Sequence, residues 1–245
     1  MHDRAELENK IKKLENELAQ KSDFIAIMTH QLRTPLAALK WTFKMMLEGD
    51  LGAITDTQRG IIARGLESSN QMIGLLADVS AANHVSDWTL HLKQEPMEPR
   101  SCIASIVSEF AEEAKSKHIA LAFHALEPMP TVMADRERTC LVLQNLIENA
   151  IKYNRTGGSA TVRAEIFGEK LVVSVHDTGI GIPLPEQKNI FSKFFRAENA
   201  KQHDKGTGLG LYVGKQIIEA QGGAMWFESE AGIGSTFFFS LPIAK

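Results

Sequence analysis

Only two cysteines occur in the 245 residues, Cys102 and Cys140. They lie far apart and match no metal-ligand spacing. Each falls on the apolar face of a segment with helical periodicity, so they are expected to be reduced core thiols in a cytosolic, or cytoplasmic, setting. No apolar run approaches the roughly 18 residues that a membrane span needs, and the first residues do not read as a signal peptide. This segment is therefore expected to make no membrane contact, and any receptor or membrane anchor would lie outside it. Lysine and arginine (27) are outnumbered by aspartate and glutamate (30), for a net charge of -3. That balance argues against a dedicated nucleic-acid binder. There is no internal repeat and no low-complexity segment. With 44% hydrophobic and 23% charged residues, the chain can bury a core, and its length suits one large domain or two modest ones.

The two common nucleotide loops are missing as well. Gly214-Lys215 is followed by Gln216, which rules out G-x-x-x-x-G-K-[ST]. Gly206-Thr207-Gly208-Leu209-Gly210-Leu211 breaks the G-x-G-x-x-G spacing at Leu211, and no strand immediately precedes it. A nucleotide, if bound, is held another way.

What is present begins with Phe24–Lys40. Ile25, Met28, Leu32, Leu36 and Leu39 recur at the spacing of one buried helix face. His30 lies off that row, so its imidazole is expected to point outward. Pro35 removes the hydrogen bond to the carbonyl of Gln31 and should bend the helix beside the histidine. Upstream, Leu7, Ile11, Leu14 and Leu18 form a heptad seam among Lys, Glu and Asn. A coiled-coil lead-in is expected over residues 1–22. The helix should end at Gly49, and Thr55 with Gln58 reads as a capping box that opens a second helix to about His84. Its expected apolar row is Ile61, Ile62, Leu66, Met72, Ile73, Leu76 and Val79. One helical hairpin cannot bury both apolar faces; two can, as a dimeric four-helix bundle.

The pattern changes after Asn83, with punctuation at EPMEP (95–99), which puts a domain boundary near 86–96. The expected organisation is a lead-in helix (1–22), a helical domain (23–88) and a third region (96–245). In that region helices are expected at 100–117, 136–153 and 208–221. Strands are expected at 119–124, 131–134, 159–167, 170–176, 224–229 and 234–241. This order suggests helices on one side of a mixed sheet, an α/β sandwich. Ile103, Ile106, Val107, Phe110 and Ala114 should face inward from the first of these helices, and Leu141, Val142, Leu146 and Ile147 from the second.

Three glycine clusters stand in this half. Asp177-Thr178-Gly179-Ile180-Gly181-Ile182-Pro183 follows an apolar strand. It is either a simple turn or a buried carboxylate beside a backbone that a ligand can approach. Gly206–Leu211 opens a helix, where free N–H groups and the positive dipole end suit phosphate. Gly232-Ile233-Gly234-Ser235-Thr236 reads most simply as a tight turn. On the helix 136–153, Asn145, Asn149 and Lys152 share a face opposite the leucines, with Tyr153 next. Asparagine is a poor helix former. Carboxamide oxygens are plausible ligands for Mg2+, and a lysine can meet a phosphate as a point charge.

These pieces in this order resemble the sensor histidine kinases, from about residue 22 to the end. THQLRTPL is similar to the phosphoacceptor box, NLIENAIKY to the asparagine box, and DTGIGIP to the first glycine box. FSKFFRAE is similar to the phenylalanine box and GTGLGLYV to the second glycine box. The resemblance implies a helical dimerisation and phosphotransfer domain followed by a GHKL-type ATP-binding domain. It implies that His30 is the phosphoacceptor and that ATP and Mg2+ are the cofactors. By the same likeness Asn149 is the Mg2+ ligand with Asn145 beside it, and Lys152 and Tyr153 line the nucleotide site. Asp177 would read the adenine amino group in a pocket shaped by Gly179 and Gly181. Gly206, Thr207, Gly208, Leu209 and Gly210 would frame the triphosphate. Phe191, Phe194 and Phe195 would anchor a lid over 182–205, which also carries Lys188, Lys193, Lys201 and Lys205. Arg196 would approach the terminal phosphate. Thr34 matches the position that orients water for phosphatase action. The implied partners are a second copy of the chain and the receiver domain of a response regulator.

One departure from the family pattern is clear: the residue after His30 is Gln31, where the family usually has an acid. Glutamine can accept a hydrogen bond but is not a useful base. Two alternatives to an active kinase stand, and Gln31 favours only the first. One is a phosphatase-biased or weakly active relative; the other is a GHKL ATPase that drives conformational change.

Overall fold

A computed structural model describes residues 28–29, 31–90, 92–201 and 206–244. The lead-in over 1–22, His30 and Lys205 lie outside the described residues. The structure forms two compact units, one up to His84 and one from Val85 onward. Among the described residues no helix is long and apolar enough to cross a membrane.

The first unit is a helical hairpin. Helix α1 covers residues 31–48 and continues through Pro35. It ends at Gly49, which takes φ +90°, while the Gly49 and Asp50 N–H groups both donate to the Met45 carbonyl. A side chain would be strained there, so glycine stops the helix. Helix α2 is Asp56–Leu90. The expected capping box opens it: the Thr55 N–H donates to Gln58 Oε1 at 2.8 Å, and the Gln58 N–H donates to Thr55 Oγ1 at 3.2 Å. The two helices meet where Gly65 faces the Phe43 ring. The hairpin leaves much apolar surface in water. Leu32, Leu39, Trp41, Ile61, Met72 and Leu75 are exposed. Ile61 and Met72 thus depart from the expected inward row, while Ile62, Leu66, Ile73, Leu76 and Val79 are half-buried.

Helix α2 runs past the expected end near His84 into the second unit, and beyond it comes a short strand, β1 (Glu95–Met97), paired antiparallel to β3 (Val132–Ala134). The EPMEP segment was expected only as punctuation. A three-residue strand holding a proline shows no alternation to read. Helix α3 (Pro99–Glu109) gives way at Phe110 to α4 (Ala111–Ser116). Strands β2 (Ala120–Ala125), β4 (Ser159–Phe167), β5 (Lys170–Asp177), β6 (Ala224–Glu230) and β7 (Gly234–Pro242) form one sheet in the order β2-β4-β5-β7-β6. The β2–β4 pair is parallel and the rest antiparallel. Helices α5 (Arg136–Lys152) and α8 (Gly210–Ala220) join α3 on one face. Alternation does the sorting: Ala160, Val162, Ala164, Leu171, Val173, Val175, Phe237, Phe239 and Leu241 are buried beneath the helices. The other face is open, and Trp226 and Phe238 stack on it with ring centroids 5.2 Å apart. The result is the expected two-layer α/β sandwich.

Two details correct the sequence reading. Leu141 is 38% exposed, and Leu143 takes its place in the core beside Val142, Leu146 and Ile147. Cys102 and Cys140 are joined by a disulfide, with Cα atoms 6.2 Å apart, rather than being separate thiols. Packing of α3 on α5 brings together two residues 38 apart in the chain, a proximity that spacing does not reveal.

Candidate functional site

Helix α5 organises the site. Its N-terminus is capped by Asp135, whose Oδ1 accepts the Arg138 N–H at 3.0 Å. Its leucine side is core. On the other side, Asn145, Asn149, Lys152 and Tyr153 are half-buried rather than freely solvated. Asn149 Nδ2 donates to Asn145 Oδ1 at 3.4 Å, so Asn149 keeps its own oxygen for another partner. Asn145 Nδ2 is buried without a hydrogen-bond partner. A buried unpaired amide is costly unless something else pairs with it. The pair therefore offers a hard oxygen donor and an orphaned amide donor side by side, a combination that fits a hydrated Mg2+ and a phosphate.

Two of the three glycine clusters close on this helix, and the third closes on Asp177. A Cβ on Gly179 would lie 2.2 Å from the Tyr153 carbonyl oxygen, and the Ile180 N–H donates to that same carbonyl at 3.0 Å. A Cβ on Gly206 would lie 3.1 Å from Lys152 Nζ, and one on Gly210 would lie 2.2 Å from Asn145 Oδ1. Only glycine lets the loop come so near the Tyr153 backbone at Gly179, whereas the Lys152 side chain beside Gly206 can move aside. Helix α8 starts at Gly210, beside Asn145, with no side-chain cap. Leu209 is fully buried; its side chain is core, and only its backbone can serve a ligand. The Thr207 hydroxyl accepts the Leu209 N–H at 3.3 Å.

Asp177 ends β5, next to Ser235 and Ala160 in register. Its side chain is only 6% exposed. Oδ1 accepts the Gly179 N–H at 2.8 Å and the Ser235 N–H at 3.3 Å. Burial pushes its carboxyl up from 3.8 to about 6, against the opposite pull of those two N–H groups and of His176. Both bonds use Oδ1, and the segment carries a buried carboxylate rather than a solvated turn.

The third glycine cluster, expected as a plain turn, is part of the same floor. A Cβ on Gly234 would lie 2.0 Å from the Asp177 carbonyl. Ser235 and Ser229 share a hydrogen bond at 2.9 Å, and the Ser229 hydroxyl accepts the Ile182 N–H at 2.8 Å. Sequence reasoning missed Ser235 and Ser229. Their partners lie on other strands and loops, so no local signal marked them.

The segment after Ile182 carries α6 (Leu184–Gln187) and α7 (Glu198–Lys201). Gln187 Nε2 ties it to the Ile182 and Ser229 carbonyls, and Asn199 Nδ2 to the Gly181 carbonyl. Phe191 meets Phe227 edge-on at 5.7 Å, and Phe195 packs its carbonyl against Gly208. Phe194 is 66% exposed and does not anchor the segment. Arg196 donates to the Ala200 carbonyl, and Lys201 pairs with Glu198. Lys193 lies over the Tyr212 ring at 4.9 Å. In the first unit, Gln31 and Thr34 are exposed; His30 between Thr29 and Gln31 is not among the described residues.

Residues 134–245 match the family model of histidine kinase-, DNA gyrase B- and HSP90-like ATPases, and residues 20–83 match that of the His Kinase A (phospho-acceptor) domain. The chain belongs to the two-component sensor histidine kinases. Among curated relatives, the circadian input-output histidine kinase CikA of Synechococcus elongatus is 31% identical over 91% of this chain and 30% of its own length. Sensor histidine kinase WalK of Bacillus subtilis is 30% identical over 91% of this chain and 37% of its own length. The adaptive-response sensory kinase SasA of a Synechococcus species is 30% identical over 95% of this chain and 62% of its own. This chain thus spans less than two thirds of the length of each. Full-length ShkA, solved with AMPPNP, superposes with a TM-score of 0.76 at 26% identity over 91% of this chain and 46% of that one. The catalytic domain of the histidine kinase ThkA gives 0.55 at 31% identity, covering 62% of this chain and 99% of that one. Within the family frame, the cleft along α5 lies in the ATPase-like region, and the hairpin with Thr34 lies in the phospho-acceptor region.

Proposed function

We propose that this chain is the catalytic portion of a kinase that transfers the γ-phosphoryl group of ATP to His30 and passes it to an aspartate of a response-regulator receiver domain. The observation that carries this reading is that two glycine segments close on α5 at Asn145, Lys152 and Tyr153, beside the Asn145–Asn149 pair, and that the first of these segments leads from the buried Asp177. Asp177 Oδ2 is the acceptor for the adenine amino group. Lys152, the orphaned Asn145 amide and the uncapped start of α8 receive the phosphates. Asn149 would hold Mg2+, which supplies charge neutralisation on the phosphates when bound. Phosphoryl transfer is mostly positioning and charge neutralisation. Arg196 and the lysines of 182–205 supply cations on that side. Imidazole, with an ordinary pKa of about 6.5, is about three-quarters neutral at pH 7. A ring nitrogen of His30 then forms the bond to phosphorus, the bond to the ADP oxygen breaks, and the imidazole passes its proton to water. The exposed apolar residues of the hairpin support a homodimer, a four-helix bundle that would cover them.

The test is incubation with γ-labelled ATP and Mg2+. The parent is expected to take up acid-labile label and the His30→Ala variant none. Label-free ATP turnover would favour the ATPase reading. Nucleotide binding without label would favour the phosphatase-biased reading, in which Thr34 acts on the regulator.

Gln31 is what favours that second reading. Its carboxamide can fix the imidazole tautomer but cannot take its proton. Gln31→Glu is therefore expected to autophosphorylate faster than the parent, measured from pH 6 to 8. No gain at any pH in that range would show that the acid is not what this site lacks.

A further inference from the structure

Tyr153 ends α5, and the next side chain, Asn154, has no role in the reading above. It is half-buried and every polar atom of its carboxamide is used. Nδ2 donates to the Ala150 carbonyl in the last turn of α5 and to the Ser159 carbonyl at the start of β4, both at 2.9 Å. Oδ1 accepts the Arg155 N–H at 3.0 Å and the Thr178 hydroxyl at 3.3 Å. The Thr178 hydroxyl in turn accepts the Ser159 N–H at 2.9 Å, and the Thr178 N–H donates to the Ser159 carbonyl at 3.1 Å. Gly158 makes room: a Cβ there would lie 2.2 Å from Asn154 Oδ1 and 2.8 Å from Thr178 Oγ1.

One carboxamide thus joins three segments: the end of α5, the start of β4 and the loop after β5. Thr178 follows Asp177 directly. The Tyr153 carbonyl, one residue before Asn154, holds the same loop through the Ile180 N–H. Neighbouring residues at the end of α5 therefore grip the loop at Thr178 and at Ile180, on either side of Gly179.

We propose that Asn154 is a positioning residue for nucleotide recognition, holding the Asp177–Gly181 loop against α5 so that the Asp177 carboxylate meets the adenine amino group. This rests on the nucleotide reading of the cleft. Removing Asn154 takes the acceptor from the Thr178 hydroxyl and the Arg155 N–H, leaves the Ser159 carbonyl with the Thr178 N–H alone, and lets the loop shift. A displacement of about 1 Å in a base-reading carboxylate costs affinity for the base and blunts the choice between bases.

The experiment is calorimetric titration of Asn154→Ala, Thr178→Val and the double variant with ATP and with GTP, each with Mg2+, after circular dichroism shows the chain folded. Each single variant is expected to weaken ATP binding about tenfold and to shrink the preference for ATP over GTP by a similar factor. The double variant is expected to lose less than the sum of the two single ones, because both cut the Thr178–Asn154 bond while each also loses bonds of its own. In turnover, KM should carry the change rather than kcat. A purely structural role would lower the folded fraction yet leave the ATP-to-GTP ratio of that fraction unmoved, which would overturn the proposal. If Asn154→Ala does not fold, Thr178→Val carries the same test alone. Should the unmodified chain bind no ATP, the reading of the cleft falls and the proposal with it. If it binds ATP and the variants match it, only the positioning role falls.

Discussion

Asp177→Asn is expected to bind ATP at least about a hundredfold more weakly than the parent and yet to be the more stable protein at pH 8. Both effects come from one geometry. Oδ1 of Asp177 is held by the N–H groups of Gly179 and Ser235. An asparagine oxygen can keep both bonds. What changes is the second atom, which becomes an amide donor facing the amino group that it should accept. Two donors face each other, and the bond is lost rather than weakened.

The stability gain follows from burial. Burial raises the carboxyl from 3.8 to about 6, so the fold holds the proton more tightly than the unfolded chain does. The stability from that proton is fully present below 3.8 and is lost as pH rises through about 6. Above that, the fold carries a buried charge at a cost of up to about 3 kcal/mol. The asparagine variant carries no such charge, so it should melt higher by several degrees at pH 8 and by little at pH 4. The same titration limits the parent. Below pH 6 the proton sits on Oδ2, the oxygen left for the ligand, and ATP affinity should fall about tenfold per pH unit. Melting curves at pH 4 and pH 8, with ATP titrations between pH 5 and 8, check all three. A variant that melts lower at pH 8 would show that the carboxylate serves the fold and not the ligand.

This trade between binding and stability was only half visible in the sequence. A carboxylate after an apolar strand and before two glycines pointed to Asp177, since each feature is local. The capping box of Thr55 and Gln58 and the stop at Gly49 were legible for the same reason: their partners are three or four residues away. Ser235 was not legible as a partner of Asp177. Its role arises from the register of β7 on β5, 58 residues apart. Asn154 carried no signal because its partners include β4 and the loop after β5. The Cys102–Cys140 contact depends on how α3 lies on α5. Leu143 lies three and four residues before Leu146 and Ile147, so helical spacing itself puts it inward, whereas Leu141 points to another side of the helix. Motifs reported the chemistry; tertiary pairing decided what holds each group in place.

That distinction gives the second large effect. Gly181→Ala is expected to cost at least about 3 kcal/mol and most of the nucleotide affinity, whereas Gly168→Ala should cost about 1 kcal/mol and leave affinity untouched. The two glycines share the same backbone conformation, φ +60°. Alanine suffers the left-handed strain at both. At Gly168, in the β4–β5 hairpin, an added Cβ meets nothing within 4 Å. At Gly181 it would lie 2.0 Å from the Glu230 carbonyl oxygen and 2.7 Å from its carbon. These are backbone atoms at the end of β6 and cannot rotate away. The loop cannot yield either, because its neighbours are fastened on both sides. The Gly232 N–H donates to the Ile180 carbonyl and Asn199 donates to the Gly181 carbonyl. The Ile182 N–H donates to the Ser229 hydroxyl. Relief must therefore come from moving the loop that carries Gly179 and steadies Asp177. Thermal melts of both variants separate strain from collision, with a drop of about 6–12 °C expected for Gly181→Ala. ATP titration at a temperature where both are folded then shows whether the displaced loop is the adenine floor. Equal shifts in both variants would mean that backbone strain alone explains the glycine, and that the approach to Glu230 has no bearing on the site.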